Sequence, residues 1–301
     1  MDALQHVFGA RVKTGVPLAK YTSARIGGPA DVFLIVNSSQ ELAQAAQILW
    51  QSQAPFIVLG GGSNVLVSDA GVRGAVLLNR ARKVRFASGD NTASVTCESG
   101  ASLGLVARQA AARGLSGLEW AAGIPGTVGG AVFGNAGAHG GDMAGNLMLA
   151  DILHPDGQQQ SWDAARLQFA YRSSILKENP VEQVIVLSAQ LRLQPKPEPE
   201  IQAQMDRFVE HRRKTQPPGA SMGSMFKNPS GDYAGRLVDA AGLKGKRIGD
   251  AQISTLHGNF FLNLGNANAR QVYDLIQHAR QAVQEQFGIT LQLEIELLGE
   301  W

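Results

Sequence analysis

Helical and strand-like spacings of apolar residues alternate along this 301-residue chain. Ser38 and Ser39 stand before ELAQAAQILWQ, whose apolar positions recur at helical spacing, so a capped amphipathic helix is predicted there. Pro55 opens a short apolar run, FIVLG, which reads as a buried strand. AVLLN from Ala75 and ASVTCES from Ala93 read as further strands. Ser102 is placed to cap LGLVARQAAARG, and Gly114 to end that helix. QVIVLSAQLRL from Gln183 alternates in part and closes the first half as a strand.

A change of character follows at Pro195-Lys196-Pro197-Glu198-Pro199, where prolines at alternate positions favour a stiff, extended connector. A domain boundary is expected there, with residues 1–194 before it and 200–301 after it. The same punctuation also suits a strand-to-helix loop inside one domain. Beyond it, EIQAQMDRFVEHRRK reads as a polar helix. Asn268 is placed to cap ARQVYDLIQHARQAVQEQF, with Gln271 as capping-box partner. Val272, Leu275, Ile276, Ala279, Val283 and Phe287 form its apolar stripe, and Gly288 stops it. The final TLQLEIELL reads as a strand, with Leu291, Leu293, Ile295 and Leu297 on one face and Gln292, Glu294 and Glu296 on the other.

Composition narrows the function. Hydrophobic residues at 44% and charged residues at 17% describe an ordinary globular protein, long enough for two domains. A net charge of +2 and 6% aromatics argue against nucleic acid as a partner. Arg212, Arg213, Lys214, Lys227, Lys244, Lys246 and Arg247 nevertheless gather in the last third, which suits an anionic small molecule. Cys97 is the sole cysteine, so no internal disulfide forms, in keeping with a reducing compartment. The opening MDALQHVFGARVKTG lacks the apolar stretch of a secretion signal, and no run approaches the ~18 apolar residues of a membrane span. A soluble, cytoplasmic protein is expected, with a monomer as its state.

Two glycine-rich segments carry the strongest chemical signal. One is Gly60-Gly61-Gly62-Ser63-Asn64; the other is GIPGTVGGAVFGNAGAHGG, from Gly123 to Gly141. Glycine lets backbone N–H groups approach a ligand closely, and clustered N–H groups suit a diphosphate. Two such segments suggest one long ligand held at two places, as a dinucleotide is; tight turns between strands are the plainer reading. Position 65 is Val, so the Rossmann fingerprint is not met, and there is no P-loop. Paired histidine spacing is also missing, and a metal is not expected. A third segment, Gly223-Ser224-Met225-Phe226-Lys227-Asn228-Pro229, offers an accessible hydroxyl beside a cation and an amide. On spacing alone it is a polar loop, Glu294 a solvated carboxylate and Arg172 a surface arginine.

Taken together, these segments resemble the UDP-N-acetylenolpyruvoylglucosamine reductase family over nearly the whole chain. TSARIGGPAD from Thr22, GGGSNVLV, GIPGTVGGAVFGNAGA, YRSS, GSMFKNP, AGLKGKRIGDAQIS and HGNFFLN follow in the family's order. The resemblance implies an α+β fold: an FAD-binding domain of the vanillyl-alcohol-oxidase type, built of two subdomains, and a smaller α+β domain that binds a UDP-sugar. It implies FAD and NADPH as cofactors, with NADPH reducing the flavin before an enolpyruvyl ether takes up hydride and a proton. Catalytic roles carry over to Ser224 as proton donor and to Arg172 and Glu294 as groups that polarise the substrate carboxylate. Such a glutamate must be protonated or hydrogen-bonded. FAD contacts carry over to Gly60, Gly61, Gly62, Ser63, Asn64, Leu66, Gly123, Ile124, Pro125, Gly126, Gly129, Gly130 and Asn135. Substrate contacts carry over to Arg213, Lys214, Lys227, Asn228 and His257. The short path from Arg172 to Gln183 points to the branch lacking an inserted tyrosine loop. Leu293 stands where many relatives have proline, so Glu296 competes with Glu294 for the carboxylate role. Another FAD oxidoreductase of the same fold, acting on an alcohol or sugar, and a non-catalytic flavin-binding protein are the alternatives.

Overall fold

A computed structural model describes residues 2–88, 93–178 and 183–301. The chain divides into two compact units. The first holds Met1–Lys13, Val32–Gly61 and Ala75–His211; the second holds Thr14–Asp31, Gly62–Gly74 and Arg212–Trp301.

The first unit has two hydrophobic cores, hence two subdomains. In the larger one, Gln159–Trp162, Leu147–Leu153, Ile185–Pro195, Ala93–Glu98 and Val84–Ser88 form an antiparallel sheet in that order. Ile185, Leu187, Ala189, Leu191 and Leu193 are buried at every second position, the period of two that a sheet face imposes. The helices Leu103–Ala111 and Val128–Gly134 contribute Val106, Ala110 and Val132 to the core beneath. In the smaller subdomain, Phe56–Leu59 runs parallel to Val72–Asn79. The helix Ser39–Gln51 buries Leu42, Ala46 and Leu49 with Leu34, Val36 and Leu77. Its start is the one predicted: the Ser38 side chain accepts the Glu41 N–H at 3.1 Å.

In the second unit, Ala220–Ser224, Phe260–Asn263, Ala251–Ile253 and Arg247–Ile248 form an antiparallel sheet in that order. The helix Ala269–Phe287 carries the predicted stripe, with Val272, Leu275, Ile276, Ala279 and Val283 fully buried. Asn268 and Gln271 form the capping box, and Gly288 ends the helix at φ +71°.

Four expectations need adjustment. The compact units do not part at the proline connector. The strand runs on to Pro195, pairing with Leu115, and a helix begins at Glu198. That helix, Glu198–Thr215, buries Ile201 and Met205 in the first unit's core, while residues 14–31 and 62–74 belong to the second. Second, Ser102 holds the N-cap position of Leu103–Ala111 without a side-chain capping bond. The Leu103 N–H is satisfied by the Gly126 carbonyl at 3.2 Å instead, so the helix start is tied to the second glycine-rich segment. Third, Phe56–Leu59 is a strand, but Val58 is 37% exposed, so the run is not buried along its whole length.

Fourth, TLQLEIELL is not one strand. Only Glu296–Leu298 is regular, pairing in parallel with Val65–Val67. Upstream, Leu293 bridges Phe226, the Glu294 N–H donates to the Met225 carbonyl, and the Lys227 N–H donates to the Gln292 carbonyl, both at 2.9 Å. The segment changes partner between Glu294 and Glu296, and a bend is needed to do so. The two glutamates therefore do not share a strand face. The path from Arg172 to Gln183 includes residues 179–182, which lie outside the described residues.

Cys97 lies in the larger core, fully buried, and burial pushes its thiol up to about 12. An ordinary thiol has a pKa of about 8.5, so the thiolate fraction near neutral pH falls by roughly three orders of magnitude. Native protein is expected to resist a maleimide or disulfide reagent and to react once unfolded. Rapid labelling of the folded state would contradict this burial.

Candidate active site

The two glycine-rich segments meet within the first unit. A Cβ on Gly60 would lie 2.4 Å from Thr127 Oγ1, and one on Gly61 would lie 3.0 Å from Gly126 Cα. Glycine is required here first because the Thr127 side chain packs on Gly60 and the Gly126 backbone on Gly61. The consequence is chemical as well. Among the described residues, no hydrogen bond within the chain uses the N–H of Gly60, Gly61, Gly123 or Gly126. Those donors suit the phosphate oxygens of a dinucleotide. Other N–H groups are already occupied: Gly129 donates to Ser99 at 2.8 Å and Ile124 to Ala121 at 3.1 Å, while Gly130 is capped by Thr127 Oγ1 at 3.4 Å. Pro125 has no N–H to give. Within the second unit, Gly62 has φ +60°, and a Cβ there would strike the Tyr21 carbonyl at 2.1 Å. Asn64 donates its side-chain amide to the Glu294 carbonyl at 3.0 Å, and the Leu66 side chain is fully buried. Leu66 can reach a ligand through its backbone alone.

Asn135 ends the helix Val128–Gly134 in the left-handed region at φ 43°. Its side chain is buried and used at both ends, donating to the Ala170 carbonyl at 2.9 Å and accepting from the Ala144 N–H at 3.0 Å. It is a brace that holds the turn carrying Arg172. Ala170 and Ser173 exchange both backbone hydrogen bonds, at 3.0 and 3.1 Å, which leaves Tyr171 and Arg172 at the tip. Ser174 Oγ ties the turn to the Phe133 carbonyl at 2.6 Å. Arg172 has φ 55°, a conformation costing a non-glycine residue about 1–3 kcal/mol. Its Nη2 donates to the Gly137 carbonyl at 2.7 Å. The surface arginine of the plain sequence reading is thus half buried, strained and fixed beside the second glycine-rich segment.

In the second unit, Ser224 ends the strand Ala220–Ser224 just after a register shift opposite Phe260–Asn263. Gly223 has φ +79°, which a side-chain-bearing residue adopts only under strain. Such a bulge re-aims the next side chain. The loop beyond is held on two sides. The Met225 N–H donates to the Asn259 carbonyl at 2.8 Å. Asn259 Oδ1 accepts the Phe226 N–H and its Nδ2 donates to the Phe226 carbonyl, each at 2.8 Å. On the other side the segment 292–294 bonds to Met225 and Lys227, so the Glu294 backbone is held beside the loop that follows Ser224. Sequence reasoning misses Asn259, because a buried amide leaves no periodic trace.

The predicted cations divide. Arg213 and Lys214 are near the end of the helix Glu198–Thr215, and both are exposed. Arg212, their neighbour, has its guanidinium pushed below the ordinary arginine value by burial. Neither its guanidinium nor the half-buried Lys227 ammonium has a hydrogen bond or ion pair with a described residue. Unpaired, partly desolvated cations are ready for an anion. Asn228 Oδ1 accepts the Ala234 N–H at 3.1 Å. His257 Nδ1 accepts the Asn259 N–H at 3.1 Å; burial, then the Lys244 charge, lowers its pKa, so it stays neutral and can donate through Nε2. Among the described residues, no group of three histidine, cysteine or carboxylate side chains could hold a metal.

Comparison with known proteins adds the family. The profile of the UDP-N-acetylenolpyruvoylglucosamine reductase C-terminal domain matches residues 214–298, and that of an FAD binding domain matches residues 30–161. The UDP-N-acetylenolpyruvoylglucosamine reductase 2 of Symbiobacterium thermophilum is 43% identical, covering 96% of this chain and 92% of its own. The Bacillus subtilis reductase is 41% identical over 96% and 94%. The crystal structure of the Thermus caldophilus reductase superposes with a TM-score of 0.81 at 39% identity, covering 96% of this chain and 99% of that one. The α+β class and the two-subdomain FAD-binding fold expected from the sequence hold.

Proposed function

We propose a residue-level mechanism from one premise: this chain belongs to the UDP-N-acetylenolpyruvoylglucosamine reductase family. It is an FAD- and NADPH-dependent oxidoreductase of peptidoglycan precursor synthesis, reducing the enolpyruvyl ether of UDP-N-acetylglucosamine to UDP-N-acetylmuramate. The glycine-rich cradle fits FAD, since among the described residues no hydrogen bond within the chain claims the N–H groups of Gly60, Gly61, Gly123 and Gly126. Gly60, Gly61, Gly62, Ser63, Asn64, Gly123 and Gly126 would hold the cofactor through backbone and short polar groups. Bound there, FAD would supply the redox chemistry, namely hydride exchange between NADPH and the enolpyruvyl group.

The chain's own residues manage the charge and the proton. Arg172 presents a planar fork to the substrate carboxylate. Glu294 hydrogen-bonds the same carboxylate, and the pair stabilises the negative charge that builds there as hydride arrives. Ser224 Oγ gives its proton to the carbon beside the carboxylate, and Lys227 steadies the oxygen left behind. Arg212, Arg213 and Lys214 hold the diphosphate, with Asn228 and His257 contacting the sugar. The proposed cofactor contacts fall within residues 60–126, and the proposed UDP-sugar contacts, Arg172 apart, within residues 212–294. The chain falls in the branch without the tyrosine loop and works as a cytoplasmic monomer. Among the described residues, no helix is long and apolar enough to cross a membrane.

One observation supports this reading: the Glu294 N–H donates to the Met225 carbonyl at 2.9 Å, which ties the Glu294 backbone to the loop that follows Ser224. The test uses the purified yellow holoprotein under anaerobic conditions. NADPH is expected to bleach the flavin spectrum, and the UDP-enolpyruvyl sugar to restore it. Bleaching by a simple alcohol or sugar, with no recovery on the enolpyruvyl substrate, would favour another oxidase of the same fold.

A further inference from the structure

The second glycine-rich segment ends in a minimal hairpin. Gly137 and Ala138 pair with Asp142 and Gly141, and the tip residues His139 and Gly140 have φ 53° and 83°. Two left-handed residues at a two-residue tip are the preferred way to turn such a hairpin. A hairpin this short has little stability of its own. Its body is pressed against a buried tryptophan: a Cβ on Gly141 would lie 2.5 Å from Trp120 Cδ1. Its tip is held by ring contact. The His139 imidazole stacks on Phe208 with centroids 4.2 Å apart and planes 3° from parallel. His211, one turn further along the same helix, meets His139 edge-on at 5.6 Å.

What this hairpin carries is the Gly137 carbonyl, which accepts Arg172 Nη2 at 2.7 Å. The Asn135 and Ser174 anchors hold the turn through Ala170 and Phe133 and do not touch the guanidinium. One arm of the fork is thus set by where the Gly137 carbonyl stands. One residue, Ala138, separates that carbonyl from the His139 stack.

We infer that His139 and Phe208 are positioning residues for Arg172: their stack fixes the Gly137 hairpin, and the hairpin aims the guanidinium at the substrate carboxylate. The inference rests on the reading that Arg172 grips that carboxylate. Misplacing a catalytic group by about 1 Å can cost about 100-fold in rate. The loss falls on the transition state, where carboxylate charge is greatest, so kcat drops more than KM changes.

Four variants of the holoenzyme test it. Asn tolerates the left-handed region, so His139→Asn keeps the turn and removes the ring. Phe208→Leu removes the stack from the other side while keeping an apolar side chain. His139→Phe restores a ring. Arg172→Ala tests the reading beneath. His139→Asn and Phe208→Leu are expected to lower kcat for the enolpyruvyl sugar roughly 10- to 100-fold. KM should move by less than about 3-fold, flavin reduction by NADPH should be unchanged, and the melting temperature should stay near the parent's. His139→Phe is expected to recover most of the loss. If Arg172→Ala is crippled while both stack variants turn over like the parent, the inference is wrong and the reading of Arg172 stands. If Arg172→Ala itself keeps full turnover, the reading fails first. Equal loss in both half-reactions, or failure of His139→Phe to rescue, would reduce the stack to general structure and overturn the proposal.

Discussion

Ser224→Ala is expected to slow reoxidation of the reduced enzyme by the enolpyruvyl sugar about 10²- to 10⁴-fold, the usual worth of a positioned proton donor. Flavin reduction by NADPH should proceed at the parent rate. The asymmetry follows from what the hydroxyl does. Hydride delivery to the flavin needs no proton on a substrate carbon, whereas saturating the enol double bond needs one. Serine is a weak acid, so its position and the partner of its conjugate base must supply what its pKa does not. The structure gives reasons for both. The left-handed Gly223 and the register shift after Ser221 turn the end of the strand, and bonds from Asn259 and the segment 292–294 hold Met225–Lys227 immediately after it. Lys227, without an ion-pair partner among the described residues, stands three positions on. Stopped-flow absorbance at the flavin band separates the two half-reactions. A Ser224→Ala enzyme slowed equally in both would deny the hydroxyl this role, and one slowed in neither would remove it from the mechanism.

The sequence carries much of this because period and capping are local. The stripe of Ala269–Phe287, its Asn268–Gln271 box and its Gly288 stop each depend on residues within one or two turns. The strand Ile185–Pro195 is legible for the same reason, since every second residue up to Leu193 faces the core. What the sequence conceals depends on distant partners. Ser102 has the chemistry of a cap, yet a carbonyl twenty-odd residues on takes the Leu103 N–H. Leu291 to Leu297 alternate without fault, yet the segment exchanges Phe226 for Val65 as a neighbour and bends between its two glutamates. Alternation reports which side chains are buried, and is silent on a change of partner. Glycines in a row suggest room for a ligand; at Gly60 and Gly61 part of that room is filled by Thr127 and Gly126, and the ligand-facing donors are a consequence of that packing. Arg212 does not stand out from Arg213 and Lys214, because burial of one arginine among three adjacent cations leaves no mark in composition.

Asn259→Ala is expected to destabilise the protein by about 2–6 kcal/mol and to abolish most turnover, since truncation leaves one buried donor and one buried acceptor unsatisfied, each costing about 1–3 kcal/mol. Asn259 is 3% exposed, and its amide makes a complementary pair with the N–H and carbonyl of Phe226, whose side chain is itself fully buried. Since folded domains of this size are stable by only about 5–15 kcal/mol, the melting temperature should fall on the order of 10 °C. The effect on function should be uneven. The lost bonds hold the loop Met225–Lys227 and, through Met225, the Glu294 backbone; they do not reach the glycine-rich cradle of the first unit. FAD retention and NADPH oxidation should therefore survive better than reduction of the enolpyruvyl sugar. Asn259→Asp sharpens the case, because it keeps the acceptor to the Phe226 N–H, loses the donor to the Phe226 carbonyl and buries a charge. It should fold no better than Asn259→Ala. Urea unfolding followed by circular dichroism reads the stability, and stopped-flow reads the half-reactions. Parent-like unfolding together with parent-like turnover in Asn259→Ala would mean that the serine loop is held by its flanking strands alone. In that event the Asn259 amide would not be what keeps the loop after Ser224 beside the Glu294 backbone.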